Sequence, residues 1–241
     1  MLILPQKSSI EAGLGQRIRA VRERIASSAQ ASARTEDSIT LVAVSKGHGA
    51  DVVRAAADSG LKHFGENYLQ EALPKIAELG GLPLTWHFLG RIQSNKTRAV
   101  AGNFSWVHGI DRLRIAERLS EQRAPTLPPL NVCVQVNIAD DASKAGVTSA
   151  AAGSLAAAIA SLPGLNMRGL MCMLPEGLSS AGRRQQYARL QLLLQQLRTR
   201  VPTMDSLSMG MSADFDDAIH AGATLIRVGT AIFGPRPVAN A

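Results

Sequence analysis

Residues 39–46 read ITLVAVSK. Leu41, Val42, Ala43 and Val44 form an uninterrupted apolar run, the pattern of a strand buried on both faces, as in the parallel sheet of an α/β protein. Gly47 and Gly49 then stop it. The lysine that closes the stretch, Lys46, is either a solvated cap or an amine placed at the mouth of a site as a Schiff-base nucleophile. Taken alone, the octapeptide favours the cap.

Outward from this stretch, eight short apolar runs can be marked near 40–44, 62–65, 85–88, 104–107, 131–136, 166–170, 204–208 and 224–228. Helical patterns near 50–59, 67–79, 92–100, 112–121, 147–161, 179–198 and 213–221 separate them. Such alternation argues for βα units. Local signals agree: Val52, Val53, Ala56 and Ala57 make one stripe ended by Gly60, Asp111 is placed as an N-cap, and Leu190, Leu194 and Leu197 share a face with Tyr187. A dinucleotide-binding sheet would carry GxGxxG after its first strand, and this chain has SKGHG there. The expected fold is therefore α/β, a single (β/α)8 TIM-type barrel over residues 1–241 with an additional N-terminal helix near 10–27. That helix carries Leu14, Ile18, Val21 and Ile25 on one side and arginines mostly on the other, and the polar stretch 28–38 reads as a linker or frayed end.

Composition narrows the class. Hydrophobic residues are 46% of the chain, yet no run reaches the ~18 apolar residues that span a bilayer, and no signal-peptide core is evident. A cytoplasmic protein without a membrane partner is the expectation. Cys133, within one strand-like run, and Cys172, just past another, fit free thiols in a reducing compartment, and no His/Cys spacing implies a metal. The +7 charge, from 26 Lys plus Arg against 19 Asp plus Glu, permits an anionic partner. Its arginine clusters at 17–24 and 112–118 read as solvated helix faces, and the sparse aromatics form no stacking array, so nucleic acid is not indicated.

In a βα barrel the site gathers at the C-terminal ends of the strands. Polar residues scored this way are Ser45 and Lys46, Glu66 and Asn67, His87, His108, Asn137, then SMGMS at 208–212 and Arg227, Gly229 and Thr230. The last two loops offer hydroxyls, glycines and the start of a helix, a setting for phosphate, although Ser212 could instead cap that helix. Arg227 shares its facing with Gly229; beside a pyridine ring nitrogen it would favour the unprotonated ring, or it could pair with Asp205 or Asp217. A lysine on strand one, a phosphate cup on strands seven and eight and an arginine between them are what pyridoxal 5'-phosphate needs.

Together VSKGH, HFGENYLQE, HFLGRIQSNK, SKAG, RGLM, LSMGMSAD and IRVGTAIFG, spread in order over most of 35–234, resemble the pyridoxal phosphate homeostasis proteins, whose domain is similar to the N-terminal barrel of alanine racemase. The resemblance implies that Lys46 forms the aldimine, that Ser208, Gly229 and Thr230 contact phosphate, that Arg227 stands near the ring nitrogen, and that Asn67 and Met209 line the pocket. Departures are small: Ile92 where many relatives have leucine, and an acidic pair, Asp140 and Asp141, before SKAG. Three residues keep two readings each. His87 is a ligand donor or a structural histidine, Lys96 an anion contact or a solvated lysine, and Asn67 a helix cap or a cofactor contact.

The resulting expectation is a monomeric pyridoxal phosphate-binding protein of intracellular cofactor homeostasis, holding the cofactor on Lys46 and transferring it to PLP-dependent apoenzymes, with no established turnover. The alternative is an amino-acid racemase using the same aldimine. For that, Tyr68 and Tyr187 are the only tyrosines, and an opposing acid/base is poorly supplied.

Overall fold

The structure, a computed structural model, describes residues 6–235, with side-chain surroundings described from residue 13 onward. The two ends of the expected 1–241 span lie outside the described residues. The first helix, α1 (Gln6–Ala31), runs on through the first four residues of the stretch read as a linker or frayed end, and a single 3-10 turn (Glu36–Ser38) leads into β1 (Thr40–Val44). Then follow α2 (Ala50–Asp58), β2 (His63–Glu66), α3 (Leu69–Glu78), β3 (Thr85–Phe88), α4 (Thr97–Asn103), β4 (Trp106–Ile110), α5 (Leu113–Gln122) and β5 (Leu130–Gln135). The chain continues through α6 (Ser149–Ala160), β6 (Leu165–Met171), α7 (Ser180–Arg198), β7 (Ser206–Met211), α8 (Phe215–His220), β8 (Leu225–Val228) and α9 (Thr230–Phe233).

The eight strands pair in parallel, each with its neighbour in sequence, and β8 returns to β1 through Thr40↔Leu225 to Ala43↔Val228 to close a (β/α)8 barrel. Every strand is thus covered on both faces, which is why β1 can be apolar without alternation. Ala43, Phe64, Val107 and Ile226 join a continuous cluster between sheet and helices, whereas the buried Val42, Val44, Leu89, Cys133 and Met171 stand apart from it as filling of the barrel interior.

The N-terminal helix completes the outer ring. Leu14, Ile18, Val21 and Ile25 are each no more than 2% exposed, and α1 packs on α2, α8 and α9. The last two helices are too short to cover the β8–β1 seam unaided. Its arginines are not the simple solvated face that the sequence suggests: Arg17 Nε donates to Ile232 O at 2.6 Å, Arg22 to Gly60 O at 3.0 Å, and Arg24 pairs with Asp216 while covering the Phe215 ring.

Local departures have physical causes. The expected helix at 92–100 is divided into a 3-10 turn, Ser94–Lys96, and α4. Asp111 is not the N-cap of α5; Arg112 takes that position and the Asp111 carboxylate accepts from its guanidinium. The seventh strand ends three residues beyond the run read at 204–208, because Gly210 does not terminate it. Gly210 forms a bulge at φ +90°, where three steps on β7 (Ser208 to Met211) face two on β8 (Leu225 to Arg227). A Cβ there would stand 2.6 Å from Ala218 Cβ, so the position demands glycine for space as well as for φ.

Candidate functional site

A cavity of about 270 Å³ opens at the C-terminal ends of the strands, lined by Lys46, Asn67, Arg227, Gly229 and Thr230 together with Val44, Leu89, Met171, Met173, Met211, Ser212 and Ala213. The sequence-derived residues from strands one, two and eight therefore meet at one place. Lys46 lies two residues beyond β1, where Gly47 takes φ +76° and its N–H donates to Glu71 Oε2 at 2.7 Å, fixing the turn out of the strand.

Across from it, the loop after β7 and the turn after β8 come together. Ala231 N–H donates to Ser212 Oγ at 3.3 Å, so Ser212 bridges these loops and does not cap α8, whose N-cap position belongs to Asp214. The Asp214 carboxylate holds the loop from behind, accepting from Met211 N–H at 2.7 Å and from the Tyr187 hydroxyl at 2.8 Å. A Cβ on Gly229 would come 3.2 Å from Val44 O, a fit that keeps this turn against the end of β1.

Arg227 is 5% exposed and still reaches the cavity wall. Its Nη1 donates to Ser208 Oγ at 2.7 Å and its Nη2 to Cys172 O at 2.9 Å. Neither carboxylate considered from sequence is its partner: Asp205 is held by Arg168, and Asp217 by Arg183 and Arg184. Burial pulls the guanidinium down from its ordinary pKa, but arginine keeps its charge in proteins. It presents a fixed cation to whatever ring or anion enters.

Two of the seven expected contacts lie elsewhere. Ser208 is fully buried in the barrel interior beneath the cavity, its hydroxyl engaged by Arg227 and His108, and Met209 is buried in the core between sheet and helices. Both were what the resemblance implies for the SMGMS stretch; the Gly210 bulge carries the strand onward and delivers Met211 and Ser212 to the cavity instead. Ser212, with Gly229 and Thr230, is the better-placed hydroxyl for a phosphate. Asn67 is no helix cap, since Tyr68 takes the N-cap position of α3; its Oδ1 is buried without a hydrogen-bond partner among the described residues. An orphaned acceptor beside a lysine and two hydroxyls is what a polar aromatic cofactor would satisfy. His87 is fully buried and absent from the lining, and Lys96 borders a separate cleft of about 480 Å³ with Tyr68, Arg91 and Gln93. That cleft is larger, but it lacks the convergence of amine, arginine and small turns.

A second lysine escaped the sequence reading. Lys75 on α3 is buried, its ammonium 2.7 Å from Glu66 Oε1 and 2.9 Å from Ser45 O. Ser45 Oγ also donates to Glu66 Oε1, at 2.6 Å, while Oε2 has no partner among the described residues. Burial raises the Glu66 carboxyl pKa, and the bonds from Lys75 and Ser45 oppose that rise. This pair sits directly behind the turn that carries Lys46. The two thiols are buried and free, and burial pushes each up to about 12, which leaves them inert at neutral pH.

The family model described as the alanine racemase N-terminal domain matches residues 17–237. The Pyridoxal phosphate homeostasis protein of Pseudomonas aeruginosa is 51% identical over 223 residues, 92% of this chain and 96% of its own length. Its namesake in Escherichia coli is 50% identical over 220 residues, covering 90% and 94%. Among solved structures, PipY of Synechococcus elongatus with PLP bound superposes with a TM-score of 0.80 at 36% identity, over 92% of this chain and 100% of that one. Alanine racemase of Clostridium difficile shares the fold, with a TM-score of 0.73 at 14% identity, over 93% of this chain and 58% of its own.

Proposed function

We propose, because the chain belongs to the pyridoxal phosphate homeostasis proteins of the alanine racemase N-terminal domain family, that it binds pyridoxal 5'-phosphate in the strand-end cavity and takes part in intracellular supply of that cofactor. The observation that carries this reading is the convergence of Lys46, Arg227, Ser212, Gly229 and Thr230 on one cavity. Lys46 would condense with the aldehyde as a reversible imine, with loss of water. Ser212, Thr230 and the backbone at Gly229 would take the phosphate, Arg227 would face the ring nitrogen, and Asn67 would offer its unpartnered oxygen. The PLP-bound PipY structure supports the choice of ligand. Release by hydrolysis, or by exchange of the imine onto another amine, would return the cofactor to PLP-dependent apoenzymes.

The test is spectroscopic. Incubation with pyridoxal phosphate should give a visible band, and borohydride followed by peptide mass analysis should place the adduct on Lys46; Lys46→Ala should show neither. A colourless wild type, or trapping at Lys96 or Lys144 instead, would overturn the assignment. We take the chain to act as a monomer, which sedimentation at several concentrations would check.

A racemase has less support. Tyr187 is buried with its hydroxyl committed to Asp214, and Tyr68 is 54% exposed beside the neighbouring cleft rather than in the cavity lining. Neither stands opposite Lys46 as the second acid/base that two-sided proton transfer requires. Chiral analysis of amino acids, wild type against Lys46→Ala, would revive that reading if lysine-dependent inversion were seen.

A further inference from the structure

Beneath the cavity, a row of polar side chains crosses the apolar barrel interior. Arg227 Nη1 donates to Ser208 Oγ at 2.7 Å, and Ser208 Oγ lies 2.7 Å from His108 Nδ1. His108 Nε2 is 2.9 Å from His87 Nδ1, and His87 Nε2 is 3.0 Å from His63 Nδ1. Ser208, His108 and His87 are fully buried, and the His87 ring stacks on Trp106 at 5.6 Å. The row ends at the half-buried His63, which lines a cleft of about 320 Å³ with Arg22, Glu36, Asp37 and Lys62. That cleft lies by the N-terminal ends of β1 and β2, across the barrel from Lys46.

The direction of every bond follows from one fixed charge. A guanidinium only donates, so Ser208 Oγ must accept from Arg227. Its own hydrogen has one acceptor among the described residues, His108 Nδ1. His108 then carries its proton on Nε2 and gives it to His87 Nδ1; His87 carries its proton on Nε2 and gives it to His63 Nδ1. All three rings are neutral, and each link has one donor and one acceptor. A cationic His87 or His63 would set two N–H groups against each other, and a cationic His108 would turn its Nδ1–H onto the serine hydroxyl hydrogen.

We propose that Ser208, His108, His87 and His63 form a one-directional donor relay that positions Arg227, and that the proton state of His63 governs how firmly Arg227 is held. A proton added at His63 Nδ1 turns an acceptor into a donor. To avoid the clash, His87 and then His108 must change tautomer, and Ser208 would finally receive donors from both sides. Ser208 can accept both on its two lone pairs, but its own hydrogen then loses its acceptor among the described residues, so the Arg227–Ser208 bond is the link that weakens. Burial and the neighbouring Lys62 both oppose charging His63, so the neutral relay is its resting state. The groups that face His63 are Lys62 beside it on the chain, Arg22 from α1, Glu36 and Asp37 from the 3-10 turn, and His87 from β3. The effect on ligand binding rests on the reading of Arg227 as the residue facing the pyridine ring; the relay itself does not.

Two measurements test it separately. In the protein without cofactor at about pH 7.5, histidine ¹⁵N spectra should show His63, His87 and His108 as neutral rings protonated on Nε2. An Nδ1-protonated or cationic His87 or His108 would overturn the relay whether or not pyridoxal phosphate binds. Pyridoxal phosphate affinity is then titrated for wild type and His63→Phe, the comparison cancelling the ligand's own ionisation. The ratio of their dissociation constants should change by about fivefold between about pH 8 and pH 5.5. A constant ratio would refute control of Arg227 through His63, and failure of both proteins to bind would refute the cofactor reading while leaving the tautomer result to stand.

Discussion

Lowering the pH from 7 to 5 should destabilise this fold by an amount set largely by histidines that cannot charge in place. His108 is fully buried, and burial, with the Arg227 charge adding to it, pushes its pKa down to about 3. In the unfolded chain the same ring titrates near ~6.5. Between these values the unfolded state binds a proton that the folded state refuses, so stability falls as pH falls and is recovered above ~6.5. Worked through, the ratio of unfolded-state binding terms at pH 5 and pH 7 is about 25, or about 2 kcal/mol for His108 alone. His87, held well below its ordinary value by burial, then by His108 and His63, acts in the same direction. Asp205 and Asp217, whose ion pairs depress them, lose their contribution only at lower pH, while the raised Glu66 works in the opposite direction. Urea unfolding at the two pH values should show the loss, and His108→Gln should reduce the pH-dependent part by about 2 kcal/mol whatever its effect at pH 7. Equal wild-type stability at pH 5 and pH 7, or an unchanged difference in His108→Gln, would refute the reasoning.

Removing one partner of the buried Lys75–Glu66 pair should be costly: Lys75→Met is expected to lose about 3–5 kcal/mol, and adding Glu66→Gln should restore much of it. Simple additivity of the two in urea unfolding would contradict the coupling. Gly210→Ala must place a Cβ 2.6 Å from Ala218 Cβ at φ +90°, so a loss of about 1–3 kcal/mol should accompany weaker pyridoxal phosphate binding; an unchanged melting temperature would count against the bulge. Ser212→Ala should weaken pyridoxal phosphate about 3- to 10-fold while sparing pyridoxal, which lacks the phosphate. Equal losses for both ligands in fluorescence titrations would remove Ser212 from the phosphate cup.

The barrel was legible because its strands announce themselves. Leu41–Val44 has no polar interruption, and β1 occupies 40–44 as read. Lys46, Asn67, Arg227, Gly229 and Thr230 could be placed together because residues at or just past strand ends are carried to one face by the topology alone. Gly210 defeated the same logic, since a glycine in a strand pattern marks either an end or a bulge and only the partner strand decides between them. Within SMGMS, the bulge decides that Met211 and Ser212, not Ser208 and Met209, line the cavity. The Lys75–Glu66 pair joins a helix to a strand nine residues away, and the histidine row draws single residues from three strands. A hint existed: His63, His87 and His108 all fall within marked strands or at their ends, where an ionisable side chain must face either water or a partner.

The seam closed by α1 also has a consequence for synthesis. Arg17 bonds a carbonyl 215 residues further along the chain, and the helix's apolar face packs on α8 and α9, which leave the ribosome long after it does. Until β8 arrives, the face carrying Leu14, Ile18, Val21 and Ile25 has only α2 of its three helix partners fixed beside it and the barrel has an open edge. The nascent protein therefore carries a sticky amphipathic helix through most of its translation, and its final step is a long-range ring closure that fixes β8, the Arg227 it carries, and the first helix together.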